Sequence, residues 1–117
     1  MKILIVEDDE GMVELLAMIL RGHEIVVAND GKEAVEKYTA ERPDLVLMDI
    51  ELPTMNGVSA TKEIKKIDPK AKVIAVTAYA AQRGREILRE GALDVVVKPF
   101  KVKDLLERIE KVAKLEL

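Results

Sequence analysis

Four places in the chain carry side chains that could handle a charged group together. They are Glu7 with Asp8, Asp49, Thr77 and Lys98, each at the end of a short apolar run. If those runs are strands and their ends meet, three carboxylates face one ammonium. Such a cluster repels itself unless a cation enters, and a hard divalent ion with oxygen ligands is its natural occupant. Mg2+ suits a site with few protein oxygens, several waters and phosphate as a further ligand. The Thr77 hydroxyl and the Lys98 ammonium would satisfy the remaining oxygens of a phosphoryl group. The plain alternative is a solvated rim, since strand ends in loops often carry Asp, Thr and Lys. One such residue means little; four types at the ends of the right runs argue for a site.

The elements that must position them follow from hydropathy. The central stretch is Pro43 to Gly57, PDLVLMDIELPTMNG, in which Leu45 to Met48 reads as a strand buried on both faces. It ends on Asp49 and passes into a loop with Pro53 and Asn56-Gly57. Lys2 to Val6, Glu24 to Ala28, Lys72 to Val76 and Asp94 to Val97 supply four more strands. Between them lie helices over Gly11 to Arg21, Lys32 to Glu41, Val58 to Ile67 and about Ala81 to Glu90, with a last one from Val102 to about Leu115. The inward faces are Met12, Leu15, Leu16, Ile19 and Leu20; Ala34, Val35 and Tyr38; Val58, Ile64 and Ile67; and Leu105, Leu106, Ile109, Val112 and Ala113. Asn29-Asp30-Gly31 caps one helix, Asp68-Pro69 stops another, and Gly91 closes a third.

Five strands alternating with five helices predict an α/β fold, a doubly wound parallel sheet with helices on both faces. Strand order 2-1-3-4-5 gathers the four endowed ends at a switch point and leaves the bland end, Ala28-Asn29, at an edge. At 117 residues the chain is expected to be one domain, 1–117, with no linker, repeat or low-complexity tract. Hydrophobic residues make up 49% and charged residues 35%, which excludes disorder. A net charge of −3 gives no reason to expect nucleic-acid binding, and no apolar run is long enough to span a bilayer. The start, MKILIVEDD, lacks a signal-peptide layout, and there is no cysteine; a cytoplasmic protein is expected. Scarce Asn and Gln beside plentiful Lys and Glu lean towards a thermophilic source.

The pieces ILIVEDD, PDLVLMDIELPTMNG, VIAVTAY and GALDVVVKPF together resemble the response-regulator receiver domain of two-component signalling, over nearly the whole chain. The resemblance implies a flavodoxin-like fold and a signalling switch rather than an enzyme. It implies that Asp49 takes a phosphoryl group from a histidine kinase or phosphotransfer protein. Asp8 would bind Mg2+ directly, Glu7 through water, and Asp49 and the Glu51 carbonyl would complete the protein's share. Asp9 competes for this role, but a strand ending at Val6 favours Glu7-Asp8. Thr77 would bond a phosphoryl oxygen and shift on activation, Lys98 would pair with Asp49 and then with the phosphoryl group, and Lys98-Pro99 would be cis. A downstream protein would read the altered surface.

Two departures stand out. Where the family often places an aromatic switch residue, this chain has Val95, so Tyr79 with Arg83 and Arg85 is the expected carrier of the signal. The Gly22-His23 connection is short, which should trim the first helix. His23 is expected to be ordinary surface, Met12, Met18 and Met48 core filling, and Lys62 to Lys72 a solvated face. The fourth helix, with Arg83, Arg85 and Arg89, lies on a surface that the family uses for partners. The KLEL end leans towards a free-standing regulator. Three rivals remain. Asp49 and Glu51 mimic the acid pair of a haloacid-dehalogenase-type phosphatase, although those folds need a larger chain. A flavin module would need a phosphate loop where Glu7 to Glu10 would repel phosphate. A receiver-like scaffold that is never phosphorylated would have no use for the full reactive set.

Overall fold

A computed structural model describes residues 1–78 and 81–117. Among them, strands and helices alternate without exception: β1 (Lys2–Val6), α1 (Glu10–Ile19), β2 (Glu24–Ala28), α2 (Gly31–Glu41), β3 (Leu45–Met48), α3 (Gly57–Ile67), β4 (Val73–Thr77), α4 (Ala81–Arg89), β5 (Asp94–Val97) and α5 (Val102–Ala113). Every strand pairing is parallel, in the order β2-β1-β3-β4-β5. The expected flavodoxin-like α/β architecture is therefore the observed one. Its switch point lies between β1 and β3, whose registers pair Val6 with Met48. Thus Glu7 and Asp49 leave adjacent strands at the same level.

The strands alternate their side chains between two cores, as pleating requires. Leu4, Val6, Val46, Met48, Val73 and Ala75 meet Ala34, Tyr38, Ala60, Ile64 and Ile87, so α2, α3 and α4 cover one face. Ile3, Ile5, Leu45, Leu47, Ile74, Val76 and Val96 meet Leu16, Leu20, Leu105 and Ile109, so α1 and α5 cover the other. The interior strands β1, β3 and β4 are buried almost throughout, which explains their unbroken apolar runs.

Several expected inward residues face outward instead. Met18 is 72% exposed, and Leu15, Ile67 and Leu106 are also exposed. A helix on a sheet buries only a stripe of roughly 100°. In α1 that stripe runs along Met12, Leu16, Ile19 and Leu20; Leu15 flanks it and Met18 lies nearly opposite Leu16. In α5 the stripe is Leu105, Ile109 and Val112, with Leu106 to its side. α1 ends at Ile19, earlier than the hydropathy alone suggests, as the short connection to β2 requires. β4 is displaced by one residue from Lys72–Val76 to Val73–Thr77, which makes Thr77 the last residue of the strand. Among the described residues no helix is long and apolar enough to cross a membrane.

Candidate functional site

The site is assembled at the carboxyl ends of the strands by backbone bonds that continue the sheet. The Glu7 amide donates to the Ala28 carbonyl at 3.0 Å, and the Asp49 amide donates to the Val6 carbonyl at 3.0 Å. The Lys98 amide donates to the Thr77 carbonyl at 2.8 Å, just before the cis Lys98-Pro99 peptide. Glu7, Asp49, Thr77 and Lys98 therefore hang from backbone that the ladder already holds. Thr77, Glu7 and Asp49 are buried. Asp8 is exposed beside them.

Glu7, Asp8 and Asp49 can each offer a carboxylate oxygen within 4.8 Å of the others, making a group able to hold a metal ion. The Lys98 Nζ donates to Glu7 Oε2 at 3.1 Å and to Asp49 Oδ2 at 3.4 Å. The Ile50 amide donates to Asp49 Oδ1 at 2.8 Å, fixing the rotation of that carboxylate. Burial pushes Glu7 up to about 7, and the adjacent Asp49 carboxylate adds to the shift, while Lys98 opposes it. One ammonium is thus too little positive charge for this pocket. The donor set, all carboxylate oxygen with a surplus of negative charge, fits a hard divalent cation.

The remaining expected residues have other surroundings. Asp9 caps α1, its side chain accepting from the Gly11 amide at 3.0 Å, so the competitor for the metal pair has a structural task of its own. The Glu51 side chain is exposed and pairs with Arg83 of α4 at 3.7 Å. Val95 is half-buried against the α2–α3–α4 core. Tyr79 lies outside the described residues. Arg85 and Arg89 are exposed on α4, and His23 is exposed beside the amino terminus, its Nδ1 at 3.1 Å from that group.

Two contacts escape sequence reasoning. Lys98 stands closer to Glu7 than to Asp49. Arg83 of α4 reaches Glu51 in the loop after β3. Opposite charge was visible in both cases, but only the strand order tells which acid a given base meets.

Comparison with known proteins bears on what this arrangement is. A family model described as the response regulator receiver domain matches residues 3–110. The chemotaxis protein CheY of Thermotoga maritima is 44% identical over 117 residues, covering 97% of this chain and 98% of that protein. The receiver domain of the sensor histidine kinase PA1611 from Pseudomonas aeruginosa, solved with a magnesium ion coordinated in its active-site cleft, superposes with a TM-score of 0.90. It is 34% identical and covers 97% of this chain and 98% of that one. A chain of the CheX–CheY–BeF3–Mg2+ complex from Borrelia burgdorferi also gives a TM-score of 0.90, at 33% identity, covering 95% of this chain and 87% of that one.

Proposed function

The chain belongs to the response regulator receiver domain family, and on that premise we propose that Asp49 is its phosphoryl acceptor. The observation that carries the proposal is a buried carboxylate at the end of β3, held by the Ile50 amide and Lys98 beside two further carboxylates. One Asp49 oxygen attacks the phosphorus of a phosphohistidine on a kinase or phosphotransfer protein. A phosphorus–oxygen bond forms, the phosphorus–nitrogen bond breaks, and the histidine leaves as neutral imidazole once its nitrogen is protonated.

Glu7, Asp8, Asp49 and the Glu51 carbonyl would hold Mg2+. That ion would neutralise charge on the phosphoryl oxygens as the group is transferred. Lys98 already bonds an Asp49 oxygen and needs only a small shift to meet a phosphoryl oxygen instead. Thr77, at the end of β4, supplies a hydroxyl for another. Movement of Thr77 towards that oxygen changes the surface of α4 and β5 that a downstream protein reads. Residues 1–117 act here as a single receiver domain.

The test is direct. Incubation with acetyl phosphate and Mg2+ should add one phosphoryl group by intact mass, and Asp49→Asn should abolish it. Full labelling of that variant would remove Asp49 from the role.

A further inference from the structure

The turn between β2 and α2 supplies no charged group to the crevice, yet it makes a very close approach to the loop that does. A Cβ built on Gly31, the first residue of α2, would lie 1.9 Å from the Met55 carbonyl oxygen, 2.7 Å from its carbon and 2.9 Å from the Met55 Cβ. Among the described residues the glycines with positive φ are Gly22 and Gly91, so the backbone of Gly31 suits any residue. Only space excludes a side chain there.

Met55 belongs to the loop that leaves Asp49, and that loop has little slack. The Leu52 amide donates to Ile50 O at 3.0 Å, the Met55 amide to Pro53 O at 2.7 Å, and the Gly57 amide back to Ile50 O at 2.8 Å. At its far end a Cβ on Gly57 would lie 2.1 Å from the Asp49 carbonyl oxygen. The loop is therefore pinned on one side to the Asp49 peptide and on the other to α2. Its first residues include Glu51.

We propose that Gly31 is a positioning residue for the acceptor site, seating the β3–α3 loop against α2 through the Met55 carbonyl. The inference rests on the acceptor role of Asp49 and on Mg2+ at the carboxylates. A side chain at position 31 must drive the Met55 peptide away by roughly 1 Å, because close-packed interiors leave no room to yield. The hydrogen bonds within the loop pass that movement to Ile50 and Glu51. Misplacement by about 1 Å, even far from the chemistry, can cost on the order of a hundredfold.

The test compares Gly31→Ala with Gly22→Ala. Gly22 has φ +99° with nothing within 4 Å of the added carbon, so its variant is strained without crowding a neighbour. Both are held at a temperature where circular dichroism shows them folded. Gly31→Ala should bind Mg2+ at least ~10-fold more weakly by calorimetry and label more slowly with acetyl phosphate. Gly22→Ala should lose stability yet keep the parent affinity and rate. Parent affinity and rate in Gly31→Ala would overturn the proposal, as would equal losses in both variants. Should Gly31→Ala not fold, Mg2+ titration of the unaltered protein decides: the Gly31 and Met55 amide signals should move along one saturation curve, and a stationary Gly31 would overturn it. If the unaltered protein binds Mg2+ but is never labelled, the acceptor reading fails, while the contrast in affinity still tests Gly31.

Discussion

Glu7 sits in an environment far from that of a free side chain, buried at 3% exposure beside another carboxylate. Its carboxyl is raised from 4.5 to about 7, first by burial and then by Asp49. A raised carboxyl contributes stability that is complete below the unfolded value and is lost as pH rises through the folded one. In metal-free buffer, stability should therefore fall between about pH 4.5 and pH 7, by on the order of 1–3 kcal/mol. Denaturant midpoints across that range would show it, and Glu7→Gln should flatten the profile. Mg2+ should oppose the trend, because a cation favours the ionised form. Lys98 belongs to the same balance, since its ammonium bonds both buried acids. Lys98→Met should fold with near-normal helicity but label at least ~10-fold more slowly with phosphodonor. Normal labelling would exclude the pairing of Lys98 with phosphate.

At the scale of elements, helix ends show which acids have a structural task. Asp9 and Asp8 are neighbours, but Asp9 is occupied by the Gly11 amide at the start of α1. Asp9→Ala should cost about 1 kcal/mol of stability and leave Mg2+ affinity close to the parent value. Asp8→Asn should do the reverse, which calorimetry beside thermal melts would resolve. A second contact joins α2 to the end of α3: the Tyr38 hydroxyl donates to Asp68 Oδ2 at 2.7 Å, where Asp68 caps α3. That bond is the first cause of the lowered Asp68 carboxyl, and it adds to the burial that raises the Tyr38 phenol. The contribution of a lowered carboxyl is lost as pH falls through its folded value. Tyr38→Phe should thus cost roughly 1 kcal/mol near neutral pH, and less in acid, without altering Asp49 labelling.

For the molecule as a whole, strand order converts distant acids into one site, and whatever occupies that site is linked to folding. The carboxylates converge only in the folded chain, so Mg2+ should raise the unfolding midpoint by mass action. At a hundred times its dissociation constant the gain should be about 2.7 kcal/mol. The Asp8→Asn variant should lose most of that gain. A midpoint independent of Mg2+ in the parent protein would mean that the acidic cluster holds no ion. The two cores give the same molecule its rigid half: strands buried on both faces leave movement to the loops at their carboxyl ends.

Much of this was written in local sequence. The apolar runs gave the strands within a residue, because burial on both faces leaves no polar alternation to confuse them. Asp49 and Lys98 could be picked out because each ends such a run. Asp30 marked a helix start through a bond that spans only three residues, whereas Asn56, which read as loop, caps α3 in the same way. What sequence could not decide depended on neighbours far along the chain. Leu15 and Met18 look as apolar as Leu16, but the sheet touches only one stripe of α1. The nearer acid for Lys98 proved to be Glu7, through the pairing of β1 with β3 and of β4 with β5. Gly31 read as turn chemistry, and its approach to the Met55 carbonyl exists only once α2 packs beside the loop after β3. Local chemistry acts over a few bonds and leaves its mark in adjacent letters; proximity across a parallel sheet is made by crossovers, and only the folded chain carries it.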